Sequence, residues 1–388
     1  MLDGKQVGRS QACKVVILTN ILAPYRIPLF NLIAEADGID ATVLALANSE
    51  SNRQWKVACG QNRFGFAVLR GWHGFVWRWE LPIHLNWGLG RAMRGLAPDV
   101  IITSGYDSPA YWQAFFHAKV HRKPFVLCSE STLLSTRYTR GPIGFLKSFI
   151  IHHADAYIAF GRKSAEYLES FGAPIKRTCV SIDTVDMNWF RDAVTKHREG
   201  AGFSSARAKY PKTLLLFVGQ LIARKGLGEV LKALARLRDS DIGLLVVGSG
   251  PLESELERSC QDAKLENVYF EGYRQQDSLT EYYAMADILV LPSFKEVWGL
   301  VVNEALASGL YVLCSDQAGA GYDLIREGWN GELFDPNNVA DLAARMSKLE
   351  GQIDEIRSRR EAISCHACSE YGIERSAQAF IEAIRKVC

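Results

Sequence analysis

Two glutamates, Glu296 and Glu304, stand with seven residues between them in the segment that runs from Ser293 to Gly309. Between them lies Gly299, which permits a tight turn of backbone close to a ligand. A helix is expected to begin at Gly299 or Leu300. Its unbonded N–H groups and positive dipole end would face the preceding loop and suit an anion. Glu304 then falls about one turn into the helix, so both carboxylates can face one pocket, on either side of a bound phosphate. Far upstream, Arg224 and Lys225 precede Gly226 and supply cationic donors matched to phosphate oxygens. Preorganised donors of this kind stabilise a departing phosphate. Taken singly, each feature has a plainer reading: solvated charges on a helix face, surface cations before a helix, and, for Gly248-Ser249-Gly250, an ordinary strand–turn–helix junction.

The elements that position these residues follow from short apolar runs alternating with helical patterns. Strands are expected at Lys14–Thr19, Ala41–Ala45, Asp99–Thr103, Pro124–Cys128 and Ala156–Ala159, with a helix over Pro24–Ala36. Around Val194–Lys212 the alternation lapses into a basic stretch, read as the approach to a second domain. It then restarts with strands at Thr213–Val218, Gly243–Val247, Val268–Phe270, Ile288–Leu291 and Tyr311–Cys314, and helices at Gly226–Arg238 and Pro251–Ala263. Continuously apolar strands separated by helices imply parallel sheets covered on both faces. The expectation is two doubly wound α/β domains in tandem, over 1–195 and 205–369. Ligands of such sheets sit beyond the carboxyl ends of the strands, so the natural site is the cleft between the domains.

Length and composition agree. A chain of 388 residues suits two domains. Apolar residues at 48% and charged residues at 23% are those of a globular protein, and a net charge of +2 gives no general reason to expect nucleic acid. Nine scattered cysteines argue against a secreted disulfide framework and for a reducing cytosol. Cys365 and Cys368 have CxxC spacing without a second pair and read as helix cysteines. The polar segment before Cys13 does not read as a signal peptide, and no run is long enough to span a membrane. Asp239-Ser240-Asp241 falls in a helix-to-strand turn at the sheet end away from the cleft, so it reads as surface charge and no metal is expected.

Residues Phe294, Glu296, Gly299, Glu304-Ala305 and Gly309, taken in step, resemble the signature of the retaining glycosyltransferases of family four. The GT-B fold this implies has two Rossmann-like doubly wound domains facing a cleft. The resemblance extends through Phe217–Gly226, Val247–Leu252, Phe270–Tyr273, Asp316–Gly321 and Asn330–Phe334. It implies a nucleoside-diphosphate sugar donor, UDP- or GDP-linked, with no other cofactor. Glu296 would contact hydroxyls of the donor sugar, Glu304 would accept hydrogen bonds from the ribose, and backbone N–H groups of Trp298, Gly299 and Leu300 would meet the diphosphate beside Arg224 and Lys225. Gly219, Gly250 and Tyr273 fall in the implied donor-binding loops. Gln220 departs from a frequent family arginine. A helix over 370–388 would cross back to the first domain.

The first half resembles the family more loosely, and its segment Asn20–Phe30 resembles a branch that builds cell-surface polysaccharides. Where many members place a histidine after a strand, this chain reads Ser129-Glu130-Ser131-Thr132, so Glu130 is the substitute candidate. Ser181–Asp186 takes the place of a turn at the end of the first domain. Arg26 is either an acceptor contact or a surface arginine, and Asp107 either a helix cap or an acceptor-side group. Trp72, Phe75, Trp77, Trp79 and Trp87, with Arg70, Arg78 and Arg91, are either a strand and helix packed at the cleft or an interfacial patch. With the basic stretch Arg137–Lys147 they make a peripheral membrane contact an expectation, at the cytoplasmic face of the inner membrane. The acceptor the resemblance implies is a glycan or a lipid-linked acceptor. A nucleotide-sugar epimerase or phosphorylase, or a non-catalytic donor-binding subunit, are the rival readings.

Overall fold

The computed structural model describes residues 12–49, 62–76, 81–136, 140–237 and 240–388. Trp77, Arg78, Trp79, Arg137, Arg238, Asp239 and the segment 1–11, all used above, lie outside the described residues.

The first sheet contains β1 (Cys13–Thr19), β2 (Ile39–Ala45), β3 (Gly65–Val68), β6 (Val100–Thr103), β7 (Phe125–Ser129), β8 (Ala156–Phe160) and β9 (Thr178–Ser181), with β4 (Gly71–Val76) and β5 (Leu81–Asn86) forming a separate hairpin. All its pairings are parallel, in the order β3-β2-β1-β6-β7-β8-β9. The second sheet contains β10 (Thr213–Val218), β11 (Ile242–Val247), β12 (Val268–Gly272), β13 (Ile288–Leu291), β14 (Tyr311–Ser315) and β15 (Gly331–Phe334). It too is parallel, in the order β12-β11-β10-β13-β14-β15.

Alternation explains why each sheet is covered twice. In β1, Val15 and Ile17 enter one core while Val16 and Leu18 enter another. In β10, Leu214 and Leu216 face one core and Leu215 and Phe217 the other. Successive side chains of a strand point to opposite faces, so an unbroken apolar run requires helices on both. Strand order reverses between β1 and β6 in the first sheet and between β10 and β13 in the second. These are the two places where the loops beyond the strands part and leave a crevice.

The expected lapse at Val194–Lys212 is corrected. A helix runs over Met187–Arg198 and a short one over Phe203–Arg207. Met187, Phe190 and Val194, spaced for one helix face, pack among Leu214 and Tyr283 of the second core. Asp186 caps this helix by accepting from the Trp189 N–H at 2.9 Å. Lys196, His197 and Arg198 occupy its last turn, where cations suit the dipole. The boundary at 195–205 falls after most of this helix. At the far end, the helix Arg360–Tyr371 packs on the second core through Ile363 and Ala367. Beyond Gly372, the helix Ile373–Val387 buries Ile373, Phe380 and Ile384 in the first core.

Two further expectations are corrected. Cys13 and Cys388 form a disulfide across 375 residues of sequence. Scattered spacing gave no sign of this, because the partners meet only when the last helix lies along the first sheet. Cys365 and Cys368 are unpaired helix residues, one exposed and one buried. Where one strand followed by a helix was expected, two antiparallel strands, Gly71–Val76 and Leu81–Asn86, pair outside both sheets, and the helix Leu89–Leu96 follows them. Asn86 is buried and donates to the Leu46 carbonyl at 2.7 Å, while Trp72 and Trp87 stand more than half exposed.

Candidate active site

The second switch point is built from two loops pressed together. After β10, the chain makes a single turn at Ala223–Lys225 and reverses at Gly226, whose φ is +71°. A β-carbon there would lie 2.1 Å from the Pro292 carbonyl oxygen, so only glycine lets this loop lie on the end of β13. The Phe294 N–H donates to the Arg224 carbonyl at 2.9 Å, and the Arg224 guanidinium donates to the Lys295 carbonyl at 3.0 Å. Lys225 forms a close ion pair with Glu296, and Arg224 reaches the same carboxylate oxygen at 3.8 Å. Two cations thus converge on one carboxylate beyond the strands where the order reverses.

The helix Leu300–Ala307 begins at this point, with Gly299 before it at φ +105°. No side chain caps it, so its first N–H groups face the loop. Glu304 lies one turn in and accepts from the Tyr283 hydroxyl at 2.6 Å. Burial pushes its carboxyl up to about 7, and the Tyr283 hydrogen bond offsets only part of this. Gly250 is demanded by packing: a β-carbon there would lie 2.5 Å from the Leu221 carbonyl oxygen. Gly219 is not demanded in this way, since a β-carbon would meet nothing closer than 3.6 Å. Tyr273 is 40% exposed at the end of β12.

Trp298 gives only its backbone to the loop. Its ring is 5% exposed and its indole N–H donates to Asn303 at 3.0 Å. Asn303 in turn donates to the Asp183 carbonyl at 3.2 Å and to the Thr184 hydroxyl at 3.4 Å. Asn303 belongs to none of the motifs above. Its signal was a polar residue within the apolar run Leu300–Leu306, which becomes a fully buried position that must be hydrogen-bonded.

A cavity of about 310 Å³ opens at the first switch point. Its walls come from the loops after β1, β6 and β7, and Val297 of the second domain closes one side. The structure brings Arg26, Asp107 and Glu130 together here. Arg26 is not a surface residue: it is 6% exposed, ion-paired with Glu130, and 3.7 Å from Asp183. Its guanidinium also lies 4.9 Å from the centre of the Phe160 ring. Burial alone would lower the Arg26 guanidinium, but Glu130, Tyr25 and Asp183 hold it well above its ordinary value. Burial pushes the Asp183 carboxyl up, against the pull of Arg26 and with the repulsion of Glu130 behind it. Asp107 is not the helix cap: Ser108 holds that position, without a side-chain bond, and Asp107 lines the cavity. The domains also meet at Asp323, which accepts from the Arg162 N–H at 3.0 Å and pairs with its guanidinium.

One loop bearing two phosphate-type cations, pressed against the loop that carries Glu296, therefore stands in the second domain, and a polar cavity of the first is closed on one side by Val297 of the second, the arrangement of a GT-B protein with two Rossmann-like domains facing a cleft. The family model "Glycosyl transferases group 1" matches residues 203–375, and "Glycosyl transferase 4-like domain" matches residues 33–181. Between them these cover most of the chain, which belongs to the GT-B glycosyltransferases of family four. The D-inositol 3-phosphate glycosyltransferase of Thermomonospora curvata is 34% identical over 55% of this chain and 52% of its own. The sulfoquinovosyl transferase SQD2 of Arabidopsis thaliana is 34% identical over 36% of this chain and 26% of its own. The chain thus spans about half the length, or less, of these curated relatives. Among solved structures, sucrose-phosphate synthase of Thermosynechococcus elongatus matches with a TM-score of 0.74 at 18% identity, over 96% of this chain and 98% of its own. The Anabaena HepE protein in complex with UDP matches with a TM-score of 0.72 at 17% identity, over 96% of this chain and all of its own. Both likenesses speak to the fold. Among the described residues, no helix is long and apolar enough to cross a membrane.

Proposed function

We propose that the protein is a retaining hexosyltransferase that takes a sugar from a nucleoside-diphosphate sugar and passes it to a glycan or lipid-linked acceptor in the building of cell-surface polysaccharide. The observation that carries this reading is the convergence of Arg224 and Lys225 on Glu296 at the β10–β13 switch point, across the cleft from a polar cavity. UDP is the favoured carrier, since solved neighbours hold UDP and UDP-glucose.

Breaking the sugar–phosphate bond leaves charge on the departing diphosphate. Arg224, Lys225 and the N–H groups of Trp298, Gly299 and Leu300 are already in place where that charge develops, so they stabilise the transition state more than the bound donor. One such donor is worth about 3 kcal/mol. Glu296, held by Lys225, orients the sugar hydroxyls, and Glu304 takes the ribose diol. Gly219 leaves room for the donor to approach the backbone. The side-chain cations do the work a metal would otherwise do. The acceptor attacks from the cavity, on the side of the leaving group. Trp72 and Trp87 on the hairpin, and Phe145 and Leu146 on the helix Gly141–His152, are exposed and support a peripheral membrane contact, which sedimentation with anionic vesicles would detect.

Products formed from labelled UDP-sugars test the reading. Sugar transferred to an added acceptor, with the anomeric configuration kept, is the expected result. A changed sugar or sugar phosphate released from donor alone would support an epimerase or phosphorylase instead. Donor binding without turnover under any acceptor would mark a non-catalytic subunit.

A further inference from the structure

The cavity at the first switch point has a charge balance that selects among acceptors. Among the described residues it is lined by one cation, Arg26, and two carboxylates, Asp107 and Glu130, with no lysine or histidine. The cation is already engaged. Glu130 pairs with it from the cavity side, and Asp183, fully behind the wall and 6% exposed, approaches it at 3.7 Å. A phosphate or carboxylate entering the cavity would have to draw Arg26 away from these partners. That would take the partner from the buried Asp183, and a buried charge stripped of its partner is strongly unfavourable. The newcomer would also sit beside Asp107, whose charge repels it.

The remaining walls suit hydroxyl groups. Asn20 is fixed by the Tyr111 hydroxyl, which donates to its side-chain oxygen at 2.7 Å. Ser104 donates to the Leu18 carbonyl at 3.0 Å, which leaves its oxygen lone pairs to accept. Glu130 uses one oxygen on Arg26, and its side chain is still 40% exposed. Carboxylates and fixed hydroxyls that accept and donate at short range are the partners a sugar ring requires. We infer that the acceptor ring seated in this cavity is an uncharged polyhydroxyl sugar, and that the cavity discriminates against sugar phosphates through Asp107 and the Arg26–Glu130–Asp183 cluster. The inference rests on the transferase reading and adds the acceptor class to it.

The test uses the full chain, a UDP-sugar shown to bind by calorimetry, and matched acceptors. Methyl glycosides, disaccharides and inositol are each assayed beside their own monophosphates. Uncharged members should accept the sugar, with kcat/KM at least tenfold above their phosphorylated partners. Asp107→Asn, a near-isosteric change at a cavity wall, should narrow that ratio by several fold while thermal unfolding stays unchanged. A phosphorylated acceptor that equals or beats its uncharged partner would overturn the inference. So would a ratio that Asp107→Asn leaves untouched. If the donor binds and is slowly hydrolysed but no uncharged sugar accepts, the acceptor inference fails while the donor reading stands. If no UDP-sugar binds at all, the reading beneath it fails too.

Discussion

The two switch points use similar charges in opposite proportions. Beyond β10 and β13, two cations, Arg224 and Lys225, share one carboxylate, Glu296. Beyond β1, β7 and β9, one cation, Arg26, is shared by two carboxylates, Glu130 and Asp183. The first arrangement sets two positive charges against one negative beside an uncapped helix start, and so suits a diphosphate. The second leaves none, and suits hydroxyl groups. Ion pairs alone therefore do not mark a site's ligand; the excess left after pairing does.

The largest effect should come from removing the excess on the donor side. Changing both Arg224 and Lys225 to Ala should reduce kcat by about a thousandfold or more, measured as steady-state turnover at saturating donor. Near-normal turnover would erase the contrast. The opposite change is Arg26→Met, which leaves Glu130 and Asp183 without their cation. It should lower stability by about 3–5 kcal/mol, read from urea unfolding. The double change of Arg26→Met with Glu130→Gln should recover part of that loss.

A smaller effect concerns Glu304, whose carboxyl is raised to about 7 by burial. Because its folded value lies above the ordinary 4.5, the protonated form is favoured by folding. Its contribution to stability is full below about 4.5 and is lost as pH rises through about 7. Donor affinity should move the other way over the same window, since the ionised carboxylate is the better acceptor for the ribose diol. Glu304→Gln should flatten both profiles in calorimetric titrations between pH 5 and 8, a range chosen around the shifted value. Tyr283→Phe should have the smallest effect, about 1 kcal/mol on stability, with the donor-affinity profile displaced to higher pH because Glu304 loses the hydrogen bond that steadies its ionised form.

What could be read from the sequence follows the same division. The donor loops were legible because their residues are close in sequence: Glu296, Gly299 and Glu304 share one segment, and Arg224, Lys225 and Gly226 another. The parallel strands were legible from their apolar runs. The Arg26–Glu130–Asp183 cluster was not, because its members come from three separate loops and only the order of strands brings them together. The hairpin of β4 and β5 was hidden by interleaved aromatics and glycines that fit neither a strand nor a helix period. The helix Met187–Arg198 was obscured by its basic last turn, although Met187, Phe190 and Val194 already had helical spacing. Asn303 looked like one polar residue in an apolar helix. Its bonds to Trp298 and to Asp183 and Thr184 tie the donor helix to the first domain, and no local pattern announces a contact across the cleft.

Calorimetric titration of UDP into the intact protein and into the Arg224→Ala/Lys225→Ala variant tests most directly whether the β10–β13 crevice holds the diphosphate. The expected result is saturable one-site binding to the intact protein, weakened at least tenfold in the variant, titrated well below its own unfolding temperature. Equal affinity in the two proteins would contradict it.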